Sequence, residues 1–184
     1  MGRERRQSYN DPGHAHFITC SCFRRCQIFT DEEACAMLAQ SINSARESHQ
    51  FCLWAYVFMP DHIHLLIYPR RENYEITQIL KSVKGTFARH LIADWKERNP
   101  SRLKRLEVGS SFGVRHRVWR KGGGFDRNIY SLEAVRKAID YVEWNPVKAG
   151  FVKDAADWKW SSAAACTSSG AVLLDVDPVA WDDG

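Results

Sequence analysis

A chain of 184 residues is long enough for one domain with a sizeable core, and 45% apolar with 12% aromatic residues excludes a disordered polymer. No apolar run reaches membrane-spanning length, and the opening Met1-Gly2-Arg3-Glu4-Arg5-Arg6-Gln7 lacks the apolar stretch of a secretory signal, so a cytoplasmic protein without a membrane partner is expected. The formal charge of +4 is unevenly spread: residues 70–121 hold 14 Lys or Arg against 5 Asp or Glu, and residues 154–184 hold 1 against 6, which points to a polyanion-facing middle and an acidic tail.

In chain order, residues 16–23 are rich in β-formers and predict a first strand. A helix follows over residues 31–47, with Thr30 as its N-cap, acidic residues in its first turn and Ala34, Met37, Leu38 and Ile42 at helical spacing. Residues 51–59 are apolar almost throughout, as in a strand covered on both faces. Pro60-Asp61 then makes a turn before a second strand over residues 62–68, and the two predict a hairpin. Residues 74–98 return to helical periodicity, with Ile76, Ile79, Leu80, Val83, Phe87, Leu91 and Trp95 on one stripe. Residues 99–124 are irregular, basic and glycine-rich, which marks them as the mobile segment. A third helix starts after Ser131 and ends near Asn145, because Pro146 disfavours helical geometry in the residue before it. This order predicts an α+β domain of split βαβ type, with residues 1–165 as the domain and 166–184 as an acidic C-terminal tail. Cys20, Cys22, Cys26, Cys35, Cys52 and Cys166 read as free thiols, since the first three lack a paired Cys-x-x-Cys and a fourth ligand at zinc-site spacing.

Met59-Pro60-Asp61-His62-Ile63-His64-Leu65-Leu66-Ile67 carries the chemistry. Strand alternation places His62, His64 and Leu66 on one face, so two imidazoles project together and need one or two more ligands to complete a metal site. Taken alone, the pair is equally compatible with two half-buried, hydrogen-bonded histidines. On the third helix Leu132, Val135, Ile139 and Val142 form a core stripe, and beside it run Ala134, Ala138, Tyr141 and Asn145. Tyr141 and Asn145 thus share a face one turn apart, as a phenol nucleophile and an amide ligand would, although a tyrosine at the rim of a core has the same spacing.

Pro60-Asp61-His62-Ile63-His64, with Asp140-Tyr141-Val142-Glu143-Trp144-Asn145-Pro146-Val147-Lys148-Ala149-Gly150 far downstream, resembles the single-tyrosine HUH transposases, and among them the REP-associated branch. Trp119-Arg120-Lys121-Gly122-Gly123-Gly124-Phe125-Asp126-Arg127-Asn128-Ile129 and Asp157-Trp158-Lys159-Trp160-Ser161-Ser162-Ala163 are also similar to segments of that family, so the resemblance spans residues 16–165. It implies a ferredoxin-like antiparallel sheet with helices packed on one face. It also implies metal-assisted cleavage of hairpin-forming single-stranded DNA through a phosphotyrosine, followed by rejoining. His62 and His64 match the paired ligands of Mg²⁺ or Mn²⁺, Tyr141 the nucleophile and Asn145 the third ligand. The chain departs from the family at Glu143-Trp144, which brings a carboxylate near the metal. Lys81, Lys84, Arg89, Arg115, Arg117, Arg120, Lys121 and Arg127 are the expected phosphate contacts, Trp119 or Phe125 the base-stacking groups, and Gly122-Gly123-Gly124 a close approach to DNA or a flexible turn. Related transposases can be dimers that exchange tyrosine helices, so monomer and homodimer both stay open. A non-cleaving hairpin-binding module of the same fold is the alternative to an enzyme, and a protein with a purely structural metal is a third reading.

Overall fold

Strand β1, Ala15–Ser21, divides its side chains between two surfaces: Ile18 and Cys20 enter one apolar cluster, Ala15 and Phe17 another. It opens a computed structural model that describes residues 10–110, 113–122, 124–166 and 173–181. Helix α1 (Glu32–His49) leads into the hairpin β2 (Phe51–Met59) and β3 (His62–Pro69), and then into α2 (Ile76–Arg98). A short α3 (Pro100–Lys104) and a separate hairpin, β4 (Glu107–Ser110) with β5 (Gly113–His116), precede β6 (Phe125–Ile129). Helices α4 (Leu132–Glu143) and α5 (Asn145–Lys148) follow. The main sheet has the order β2-β3-β1-β6 with every neighbour antiparallel, the split βαβ, ferredoxin-like α+β arrangement.

All seven stripe residues of α2 are buried, and with Leu38 and Ile42 of α1 they cover the sheet face that carries Ile63, Leu65 and Ile67. Helix α4 covers the other face, so the helices do not share one side as expected. Its Val135, Ala138 and Val142 pack on Trp54, Ala55, Val57 and Leu66, the apolar set that α1 and α2 leave bare. A register shift between Leu53 and Ala55 puts Trp54 and Ala55 together on that second surface. Helix α1 is capped by Asp31 rather than Thr30: the Asp31 carboxylate accepts from Glu33 N, and Thr30 Oγ1 donates to Gln27 O. Helix α4 ends at Glu143, before Asn145, and Pro146 lies in the first turn of α5, where its missing N–H is no loss.

The basic segment expected to be irregular and mobile contains α3 and the β4–β5 hairpin, with residues 111–112 and Gly123 outside the described residues. Gly124, at φ +86, lies so close to β1 that a Cβ there would stand 2.4 Å from Thr19 O, so its close approach is to the protein's own backbone. The outer edge of β2 is covered: Phe58 N donates to Trp160 O, Leu53 N to Asp177 Oδ2 and Asp177 N to Leu53 O. The described part of the tail is therefore packed, with Leu174 buried and Trp181 against Trp54 and Tyr68. Cys20, Cys22, Cys26, Cys35 and Cys52 are free thiols; burial pushes Cys20 up to about 11 and Cys35 up to about 12, which keeps them protonated at neutral pH. The Cys166 side chain lies outside the described residues. Among the described residues no helix is long and apolar enough to cross a membrane.

Candidate active site

The β1–β3 register sets Thr19 directly opposite His64 on the face that α4 covers. Thr19 Oγ1 lies 2.8 Å from His64 Nδ1, and Asn145 Nδ2 lies 3.3 Å from His64 Nε2. An amide nitrogen only donates, so in this arrangement Nε2 carries the lone pair and Nδ1–H donates to Thr19. Burial, reinforced by the neighbouring His62, pushes His64 down to about 3, so its imidazole is neutral at physiological pH. His62 is held in the same way: Asp61 Oδ1 is 2.7 Å from its Nδ1, and a carboxylate there accepts from Nδ1–H and leaves Nε2 as the donor to a ligand. Arg25 Nε, 2.7 Å from Asp61 Oδ2, fixes that carboxylate from the other side. The two imidazole centroids are 4.9 Å apart.

Tyr141 reaches the same place from α4. Its ring lies 5.6 Å from that of His64 and 5.6 Å from that of Phe17, which stacks on His64 at 5.4 Å. Tyr141 remains 44% exposed. Lys148 Nζ on α5 is 5.0 Å from the centre of the Tyr141 ring. The four residues expected to form the centre, His62, His64, Tyr141 and Asn145, are thus brought together by β3, α4 and α5.

The donor set suits a divalent ion: two imidazoles each held at Nδ1, by Thr19 and by Asp61, and an amide whose oxygen can turn inward. Among the described residues no group of three or more His, Cys, Asp or Glu is placed to hold a metal ion, so a metal here would need Asn145 beside the two imidazoles. Glu143 is not part of this set. Its carboxylate accepts from Ser162 Oγ at 2.8 Å, and burial raises its carboxyl above the usual range.

The expected phosphate contacts are dispersed. Lys81, Lys84 and Arg89 belong to α2, on the opposite face of the sheet, and Lys84 Nζ donates to Gly122 O at 3.3 Å. Arg115 is exposed on β5, Arg117 lies over the Phe23 ring, and Arg120 and Lys121 are exposed beyond it. Arg127 is the one tied to the centre, its guanidinium 5.8 Å from the middle of the Phe17 ring. Trp119 is a core residue, 7% exposed with Nε1 donating to Lys84 O, and not a base-stacking surface. Phe125 is 39% exposed beside Phe17.

Sequence reasoning missed Thr19, Asp61, Arg25 and Lys148. Asp61 had a local signal, a carboxylate next to a ligand-type histidine, but Thr19 depends on cross-strand register that no local pattern reveals.

A curated protein of Haemophilus influenzae, described as a REP-associated tyrosine transposase, is 30% identical over 118 residues, covering 63% of this chain and 61% of its own length. The chain therefore spans less than two thirds of that relative. A solved structure of a REP-associated tyrosine transposase bound to a REP hairpin is 21% identical with a TM-score of 0.64, covering all of this chain and 97% of that one, and it shows a shared fold. Residues 11–114, which include both histidines and end before Tyr141, match the family described as transposase IS200 like. That match takes in more than half of the sequence, and the chain belongs to this family of transposases.

Proposed function

We propose that the protein is a metal-dependent single-strand DNA endonuclease and transposase that cuts hairpin-forming DNA with Tyr141. The supporting observation is the meeting of Tyr141 and His64 at 5.6 Å, with Asn145 on the free nitrogen of His64. Hairpin DNA is the substrate class by analogy with the solved relative that holds a REP hairpin.

In this reading the Tyr141 oxygen attacks a backbone phosphorus, an O–P bond forms as the P–O3′ bond breaks, the phenol proton passes to solvent, and a free 3′-hydroxyl leaves. Attack by a 3′-hydroxyl on the phosphotyrosine reverses the step and rejoins strands, so no nucleotide cofactor is consumed. A Mn²⁺ or Mg²⁺ ion held by His62, His64 and Asn145 would polarise the phosphate and offset its growing charge, and the paired imidazoles favour Mn²⁺ over the more oxygen-demanding Mg²⁺. Thr19 and Asp61 keep both Nε2 lone pairs available for that role. Lys148 over the Tyr141 ring and Arg127 over the neighbouring Phe17 ring supply positive charge suited to phosphates near the cut. The Tyr141–His64 contact is within one subunit, which supports action in cis with no second copy needed to complete the centre.

Labelled hairpin oligonucleotides with randomised single-stranded flanks, incubated with the protein and Mn²⁺, should give a covalent adduct that survives denaturing gels. The adduct should disappear with chelator and with Tyr141→Phe. Hairpin binding without an adduct would identify a non-cleaving module, and an adduct that persists in Tyr141→Phe would move the nucleophile elsewhere.

A further inference from the structure

Trp144 stands in the turn between α4 and α5, three residues after Tyr141 and immediately before Asn145, and it is 50% exposed. Its backbone is fixed on both sides, with Trp144 N donating to Asp140 O at 2.9 Å and Trp144 O accepting from Lys148 N at 3.0 Å. Among the described residues its indole has no ring partner and no hydrogen bond. A large apolar ring is thus left in solvent on a fixed backbone, three residues from the tyrosine, which the fold alone does not require. On α5, one turn after Trp144, Lys148 Nζ lies over the Tyr141 ring, and Phe151 beyond it is 52% exposed with its ring against Trp158 at 5.4 Å. An open aromatic face with a cation one turn away is the arrangement that receives an unpaired base and its phosphate, whereas a protein partner favours a contiguous apolar patch. Glu143, the nearest acidic neighbour in sequence, is drawn toward Ser162, and the exposed Asp140 one turn before Trp144 is set against Lys148 one turn after it.

We propose that Trp144 is the stacking platform for one unpaired nucleobase next to the phosphate attacked by Tyr141, with Lys148 neutralising the adjoining backbone. This rests on the reading of Tyr141 as a DNA nucleophile and adds to it a subsite that sets which nucleotide can flank the cut. A six-membered pyrimidine covers less of the indole than a purine does, so the subsite should prefer a purine.

The test uses the full chain and hairpin oligonucleotides whose single-stranded flank nucleotides are replaced one at a time by the fluorescent base 2-aminopurine. Wild type should quench the probe strongly at one flank position. Trp144→Ala should abolish that quench and weaken binding by roughly 5- to 150-fold, the range for one lost base stack, while Trp144→Phe retains part of both. At saturating DNA the Tyr141 adduct should still form in Trp144→Ala. Equal quenching and affinity in Trp144→Ala and wild type, with the adduct intact, would overturn the platform alone. A Trp144-dependent quench without any adduct would instead keep the platform and overturn the cleavage reading. Loss of self-association in Trp144→Ala with unchanged DNA binding would assign the indole to a second copy of the chain and overturn the platform.

Discussion

Asp61 is bonded on both sides, to Arg25 through one carboxylate oxygen and to His62 through the other. The backbone ties it further, because Asp61 O accepts from Cys22 N at 2.8 Å. Two consecutive non-glycine residues in this loop, Arg24 and Arg25, hold positive φ of 52° and 55°, a conformation that costs of order 1 kcal/mol each and persists only where surrounding bonds enforce it. The strain is consistent with a loop built to place Arg25 on Asp61. If His62 is a metal ligand, Asp61→Ala should weaken Mn²⁺ binding by about 10- to 100-fold, measured by calorimetry on the protein without DNA, and Arg25→Ala should weaken it less. Unchanged Mn²⁺ affinity in Asp61→Ala would mean that His62 is not oriented for a metal. At this scale the sequence displayed the two histidines and the tyrosine, because strand and helix periods fix which side chains share a face. It did not display Thr19, whose partner lies 45 residues away across a register set by the whole sheet.

Helix α1 shows how one residue ties elements together. Besides capping α1, Asp31 accepts from Trp95 Nε1 at 3.0 Å and Arg98 Nη2 at 2.9 Å on α2, and from Arg102 Nη1 at 3.4 Å on α3. Burial pushes its carboxyl upward, but the bonds from Arg98 and Trp95 and the charges of Arg98 and Arg102 outweigh it, and the net shift is below the ordinary 3.8. A carboxyl lowered in the folded state stabilises fully above its unfolded value and loses that contribution as pH falls through the folded one. Asp31→Asn keeps an N-cap and a Trp95 acceptor but loses the charge, so it should cost about 1 to 3 kcal/mol at pH 7, read by urea unfolding. The gap to wild type should narrow only below about pH 3.8. A gap independent of pH down to acid unfolding would show that the charge of Asp31 contributes nothing. Element boundaries were legible where period and punctuation agree, as in α2. The choice of Asp31 over Thr30 was not, because it turns on partners 64 to 71 residues downstream.

At the scale of the whole molecule, the split βαβ class and the hairpin were readable from strand and helix succession, but the side on which α4 packs was not. That side depends on a bulge in β2 that gathers Trp54 and Ala55 onto one surface, and a bulge leaves no periodic trace in an apolar run. Composition likewise marks residues 166–184 as an appended acidic tail, whereas its described residues 173–181 pack on the end of β2 and its edge. Leu174 is 1% exposed with its N donating to the buried Tyr56 hydroxyl at 3.3 Å, and Asp177 pairs both backbone groups of Leu53 while its carboxylate meets Arg46 at 2.5 Å. Trp181 then covers Trp54 and Tyr68, beside the residues under α4. Ending the chain at residue 172 should therefore remove a core side chain and expose the edge of β2. The expected loss is about 2 to 5 kcal/mol, as for Leu174→Ala alone, and a melting point lower by roughly 5 to 15 °C. Asp177→Ala should cost about 1 to 3 kcal/mol by leaving Leu53 N unpaired. The truncated chain should also aggregate more readily, because the Leu53 end of an apolar strand would be left uncovered and able to template pairing. If truncation left melting temperature and solubility unchanged, residues 173–184 would be a dispensable cover.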